Sequence, residues 1–332
     1  MILHPAIASL IIASVLIDGM AIYASLFGIQ IIRKWDLQSG SELQLSLERK
    51  TYLISTILMY MLVFQIASFF LYIFTAESLH ELFVGAMCAA GSLQVNSYGY
   101  PVFLLKMINV ILAGLWLIIN YADSRAFDYP LIRKKYWLLL ILAPLILMES
   151  VLQMSYFLNL KGDIITSCCG SLFSAGRNTL TSEMASLPVR ASMAAFYSLM
   201  VLTLLSGIVF IRTVKWAYLF SLAGVITFFA SCIGLVSFIS VYIYELPTHH
   251  CPFCMLQKEY HYIGYMFYVS AIAGVISSAG VGVLQRFRCI GSLSAILPQI
   301  QRRLAVTSII AYFLFTALSL YYIFATDFSL RM

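Results

Sequence analysis

The sequence predicts an all-α, polytopic membrane bundle of about eight transmembrane helices, with a cap of loops on its outer face. Three observations carry this expectation. The 332-residue chain is 62% hydrophobic and only 10% charged, where soluble domains carry about 25% charged residues. Its apolar residues fall in continuous runs long enough to cross a bilayer. The ~10-residue alternation of a membrane β-strand is absent. Hydrocarbon offers no water to unpaired backbone groups, so closed helices are the remaining solution.

The runs lie at about 6–32, 52–75, 101–122, 136–158, 192–212, 216–243, 261–285 and 305–325. Each meets or exceeds the ~20 residues that cover ~30 Å at 1.5 Å per residue. The first opens "MILHPAIASL", lacks a positive n-region and is too long for a signal segment, so it reads as a retained span. The polar stretch 33–51, "RKWDLQSGSELQLSLERKT", predicts an interfacial helix. The stretch 76–100 predicts a short amphipathic helix near 77–87. Pro144 marks a kink in the fourth span. The loop 159–191 is long, and 213–215 is minimal. No internal repeat or low-complexity tract is present, so residues 1–332 read as a single membrane domain. Tyr98, Tyr100, Tyr260, Tyr262 and Tyr265 fit an interfacial aromatic belt.

Orientation follows from the basic residues. The loops after spans 1, 3, 5 and 7 hold most of the chain's 20 Lys and Arg, among them Arg33, Lys34, Arg133, Lys134, Lys135, Arg286 and Arg288. The positive-inside rule places that side in the cytoplasm. The protein is then a multi-pass protein of the cell (plasma or inner) membrane, with both termini outside. The net charge of +6 reflects topology; no basic stripe marks a nucleic-acid site.

On that topology Cys88, Cys168, Cys169, Cys251 and Cys254 fall on the outer side, where disulfides form and persist. Cys232 lies within span 6 and Cys289 is cytoplasmic. All five histidines are also outside or at the outer interface, which disfavours a haem held between spans. No Cys-x-x-Cys-His is present, which disfavours covalent haem.

The segment "THHCPFCMLQKEYHY" (248–262) concentrates this chemistry. With Pro252 at the first position of a helix, Cys251 caps the helix and meets the positive end of its dipole. That geometry predicts an exposed, low-pKa Cys251 as nucleophile, with Cys254 resolving the mixed disulfide. The same residues suit a soft metal. Cys251 and Cys254, with His249, His250, Met255 or His261, favour Cu(I), or Zn(II) without the methionine. The adjacent Cys168 and Cys169, in "ITSCCGSLFSAG", pair with other cysteines, bind a soft metal jointly or serve as a relay pair, and Cys88 is either a third partner or a small interfacial residue. The three loops 76–100, 159–191 and 244–261 are expected to fold together.

An outer Cys-x-x-Cys at a helix mouth, served by thiols in another loop, resembles the vitamin K epoxide reductase and disulfide-bond-forming quinone reductase group. The resemblance rests on Cys251 and Cys254, and more loosely on Cys168 and Cys169. It implies a helix-end pair exchanging electrons with a membrane quinone and a loop pair exchanging with a thioredoxin-like protein partner.

Several polar groups lie within the spans: Asp18, Gln65, Lys106, Asn109, Glu149 and Gln153. Such residues face the bundle interior, and Lys106 is placed to pair with Glu149. No nucleotide-binding loop and no serine–histidine–acid arrangement is visible. Three functions follow from the sequence. The first is a membrane thiol–disulfide oxidoreductase between an outer partner and a membrane carrier. The second is a copper-class metal-binding or transport protein, with a metalloprotein as partner. The third is a non-catalytic membrane subunit that anchors a larger complex, its cysteines forming structural disulfides.

Overall fold

A computed structural model of the chain describes residues 4–36, 41–162, 166 and 187–325. Among these there is no strand, and eight helices are long and apolar enough to cross a membrane. The spanning helices are α1 (Pro5–Lys34), α2 (Glu42–Ser78), α4 (Gly99–Asp123), α5 (Ile132–Leu158), α6 (Val189–Thr213), α7 (Ala217–Tyr244), α8 (Ile263–Gln285) and α10 (Leu297–Ala325). Two short helices, α3 (Ala89–Gln94) and α9 (Gly291–Ser294), lie between them. All eight expected spans are present. Large apolar side chains such as Leu16, Phe64, Val151, Leu222 and Phe313 are exposed on them, as a lipid environment requires.

Local chemistry explains the element ends. Pro5 opens α1, where its missing N–H costs nothing, and Arg33 and Lys34 occupy the last turn beside the negative end of the helix dipole. The minimal turn between α6 and α7 is made by Val214 and Trp216, both left-handed. Two sequence expectations need correction. The segment 42–51 is not a separate interfacial helix but the first turns of α2. Gln44 explains the fusion: its amide donates to Glu48 one turn on, and its oxygen accepts from the backbone N–H of Asp36. Leu47 on the same face is buried in the core with Trp35. The amphipathic helix expected near 77–87 is also absent. There α2 runs on to Ser78, a 3₁₀ turn covers His80–Leu82, and α3 follows only at Ala89.

The chain forms two compact units. One comprises Met1–Thr75, Leu93–Lys161 and Phe287–Leu297; the other comprises Ala76–Ser92, Gly162–Arg286 and Pro298–Met332. The first has a core of Phe27, Ile31, Leu58, Trp116, Tyr136 and Leu139, from α1, α2, α4 and α5. The second packs α6, α7, α8 and α10 through small residues, which let helices approach closely where apolar burial gives no drive. Gly224 of α7 meets Ser278 of α8, and Gly274 of α8 lies under the ring of Tyr312. Tyr312 in turn donates to the carbonyl of Gly224 at 2.6 Å.

Candidate functional site

Within the second unit, the loops that follow α2 and α7 bring three thiols together. The sulfurs of Cys88, Cys251 and Cys254 all lie within 4.8 Å of one another. Cys88 Sγ and Cys251 Sγ are 3.6 Å apart. Cys88 and Cys251 are 0% exposed and Cys254 5%. None of the described cysteines is in a disulfide. His249 Nε2 stands 3.3 Å from Cys254 Sγ, at the edge of the three-sulfur group.

The expected helix start at Pro252 does not form. Pro252 and Phe253 make a bend, Cys254–Leu256 a single 3₁₀ turn and Lys258–Tyr260 a second. His261 and Tyr262 are both left-handed, a conformation that breaks a helix, so α8 begins only at Ile263. Cys251 thus does not cap a helix that begins at Pro252. The predicted low pKa is therefore reversed: burial, with the neighbouring Cys254 as a further cause, pushes the Cys251 thiol well above the ordinary thiol range, although the Cys88 contact opposes this. Burial also pushes His249 down, with His250 adding to it, which favours the neutral imidazole.

A set of backbone clasps holds the two loops in register. Glu77, at the end of α2, accepts from the backbone N–H of Ala89 at 2.6 Å and from Gln257 Nε2 at 2.7 Å. The same Gln257 amide donates to the carbonyl of Met87 at 2.7 Å. Cys88 is thus gripped on both sides by groups anchored to the Cys251–Cys254 loop. On that loop, Tyr244 donates to the carbonyl of Cys251 at 2.6 Å and Tyr268 to that of Pro252 at 2.7 Å. Below it, α7 widens into a π-turn at Leu235–Ile239. There the carbonyl of Val236 takes His250 Nδ1 at 3.0 Å. π-turns loosen the regular backbone ladder and recur at functional sites.

The sequence candidates sort as follows. Cys251 and Cys254 are in the cluster, and His249 stands at its edge, 3.3 Å from Cys254. His250 is turned to the backbone of α7. Met255 is fully buried and packs against Gly264 at the start of α8. His261 is exposed and lies outside the cluster. Cys168 and Cys169 lie outside the described residues. Of the third loop expected in the cap, Thr166 is described, and its N–H donates to the carbonyl of Val84 at 2.9 Å. The sequence treated Cys88 as a secondary partner, yet it is a full member. Glu77 and Gln257 were missed; no spacing rule links residues 180 positions apart.

The first unit holds the intramembrane polar residues. Lys106 of α4 donates to Glu149 of α5 at 2.5 Å, both 1% exposed, as the sequence anticipated. Lys106 also reaches Ser68 Oγ at 3.2 Å. The second oxygen of Glu149 accepts from Gln65 at 2.7 Å and Asn109 at 2.5 Å. Asp18 of α1 accepts from Ser150 at 2.9 Å. A second buried pair, Lys135 with Asp123 at 2.8 Å, joins α5 to α4, and Asn120 takes a further bond from the same ammonium.

No protein-family model matches the chain, and no curated protein or solved structure matches it.

Proposed function

We propose that this membrane protein binds a soft metal ion at Cys88, Cys251 and Cys254, with Cu(I) held by the three sulfurs or Zn(II) completed by His249. The observation that carries this reading is the convergence of three buried thiols beside an imidazole nitrogen. With metal–sulfur bonds of ~2.3 Å, sulfurs sharing one ion stand ~3.7–4.0 Å apart. The Cys88–Cys251 separation of 3.6 Å is close to that. Exchange with a protein disulfide needs only two sulfurs, one of them accessible. A buried thiolate, by contrast, needs a nearby cation, and a soft ion supplies it. The clasps by Glu77, Gln257 and Tyr244 resemble the outer partners that orient metal ligands. The basic-residue asymmetry supports placing the cluster on the outer side of a cell membrane, with both termini outside and a metalloprotein as exchange partner.

The test is metal analysis of the full-length protein in lipid nanodiscs, purified under reductant, followed by competition against chromophoric Cu(I) and Zn(II) chelators. One ion per chain is expected. It should be lost from C88S, C251S and C254S alike. H249A should weaken Zn(II) and leave three-sulfur Cu(I) binding nearly unchanged.

A second reading is favoured by the same 3.6 Å approach of Cys88 to Cys251, which is van der Waals contact between thiols. Here the protein is a membrane thiol–disulfide oxidoreductase. Cys251 and Cys254 pass electrons to a membrane carrier such as a quinone. Cys88, or Cys168 and Cys169, links them to a thioredoxin-like partner. This reading requires the loop to open. It predicts that C254S traps a mixed disulfide at Cys251 and that metal is absent. A metal-loaded protein with no adduct in C254S rejects it.

A further inference from the structure

In the first unit, Asp18 lies 13 residues from one end of α1 and 16 from the other. At 1.5 Å per residue it is ~20 Å from one end and ~24 Å from the other, well inside hydrocarbon. The charged groups facing it are Glu149 of α5 and Lys106 of α4. These three amount to two carboxyls and one ammonium. Lys106 is committed to Glu149, and both oxygens of Glu149 are already occupied by donors. The pair is therefore a closed, neutral unit. Asp18 has no cation of its own, and the bond from Ser150 is the one that the described residues give it. An isolated carboxylate at this depth is costly, and a bound proton removes the charge.

Two further atoms point to an exchangeable hydrogen donor here. Asn109 Oδ1 and Gln153 Oε1 are buried acceptors with no hydrogen-bond donor among the described residues. Their amide orientations are fixed by the opposite ends. Asn109 Nδ2 donates to Glu149 and to the carbonyl of Leu145, and Gln153 Nε2 to Ser14 Oγ and the carbonyl of Leu10. Ser14 is one turn from Asp18 on α1, and Gln153 is one turn from Glu149 on α5. A water or hydronium is the smallest donor that such acceptors take.

We propose that this cluster is a proton site: Asp18 reversibly binds one hydrogen ion inside the membrane, beside the fixed Lys106–Glu149 pair. In the binding step a hydronium transfers its proton to the carboxylate of Asp18 and leaves as water; no electrons move. The Ser150 hydroxyl orients the carboxyl of Asp18, whereas both oxygens of Glu149 are already taken by Lys106, Gln65 and Asn109.

The full-length protein in lipid nanodiscs provides the test. A hydrophobic carbodiimide reacts with a protonated carboxyl in an apolar setting, and peptide mass spectrometry locates the adduct. The adduct is expected on Asp18 and not on Glu149. Its yield should fall roughly tenfold for each pH unit above the site's midpoint, as the protonated fraction does. Infrared titration should show a neutral-carboxyl carbonyl band that is absent in D18N and shifted but retained in D18E. The labelling needs no substitution, so poor folding of D18N does not blunt the test. Three outcomes overturn the proposal: an adduct on Glu149 instead, a yield independent of pH, or protection by sodium or potassium at fixed pH. The last would make it an alkali-cation site.

Discussion

Glu77 illustrates how one side chain can organise a site that it does not enter. Its carboxylate accepts from the N–H next to Cys88 and from Gln257 beyond Cys254, and so ties together loops far apart in sequence. Glu77→Gln presents a donor to at least one of these donors, and Gln257→Ala removes the bond to Met87 as well. Under the proposed metal reading, each is expected to weaken metal binding by about 10–100-fold, the usual effect of outer partners. The helices should stay folded, which chelator competition and circular dichroism together would check. Gly85 offers a second case. It is left-handed, at φ +84°, and an added Cβ would lie 2.2 Å from the carbonyl oxygen of Thr166. Gly85→Ala should therefore destabilise the loop by about 1–3 kcal/mol. A lowered thermal midpoint, with a matching loss of bound metal, would be the observation. At this scale the sequence was a partial guide. The identity of Cys251, Cys254 and His249 as candidates came from the Cys-x-x-Cys spacing, the adjacent histidines and the outer position of the loop. The environment of Cys251 did not, because a proline-led helix is a local expectation. It was overridden by the left-handed His261 and Tyr262 and by the packing of Tyr244 and Tyr268 onto the loop.

Among the elements, α7 is the one whose irregularity bears on the site. Its π-turn at Leu235–Ile239 contains one more residue per turn than an α-helix would, and it sets the direction in which the chain leaves at Tyr244. Deleting one residue within 235–239 should restore an α-helical ladder and rotate the following residues by ~100°. Tyr244 would then leave the carbonyl of Cys251, and His250 would leave that of Val236. Under the proposed metal reading, the expected result is a protein that still inserts but no longer retains an ion, read by metal analysis of the membrane-extracted variant. Retention of the ion at wild-type stoichiometry would show that the π-turn is incidental. The spans themselves were legible in the sequence because a run of ~20 apolar residues has few other solutions. Their ends were less so. The extension of α2 back to Glu42 rests on Gln44 and Leu47 finding partners at Trp35 and Asp36, which hydropathy does not register. The π-turn left no signal at all, since its residues are as apolar as the helix around it.

For the molecule as a whole, the testable consequence is sidedness. Leu82 is exposed in the loop after α2, and Cys289 is exposed in the loop after α8. The positive-inside reading expects the loop after the second span outside and the loop after the seventh inside. In a variant with Leu82→Cys, a membrane-impermeant maleimide should label position 82 in intact cells and reach Cys289 only after lysis. Cys88, Cys251 and Cys254 should resist the reagent in both conditions until the protein is denatured, because burial shields them. Labelling of Cys289 in intact cells would invert the topology and place the thiol cluster in the reducing cytosol, where the redox reading has no oxidant to draw on.

The two buried ion pairs of α4 and α5 have one more consequence, for how the chain enters the membrane. Lys106 and Asp123 belong to α4; Glu149 and Lys135 belong to α5. Each helix supplies one cation and one carboxylate to these two pairs. Side by side, each of these four charges is answered by the other helix. The connection between them is short, from Ser124 to Leu131. During synthesis, then, α4 gains from waiting at the insertion machinery until α5 has emerged, and the two gain from partitioning into lipid as a closed hairpin. Truncating the nascent chain between them should leave α4 poorly inserted. Extending it past Leu158 should rescue both spans together, and removing either carboxylate should blunt that rescue.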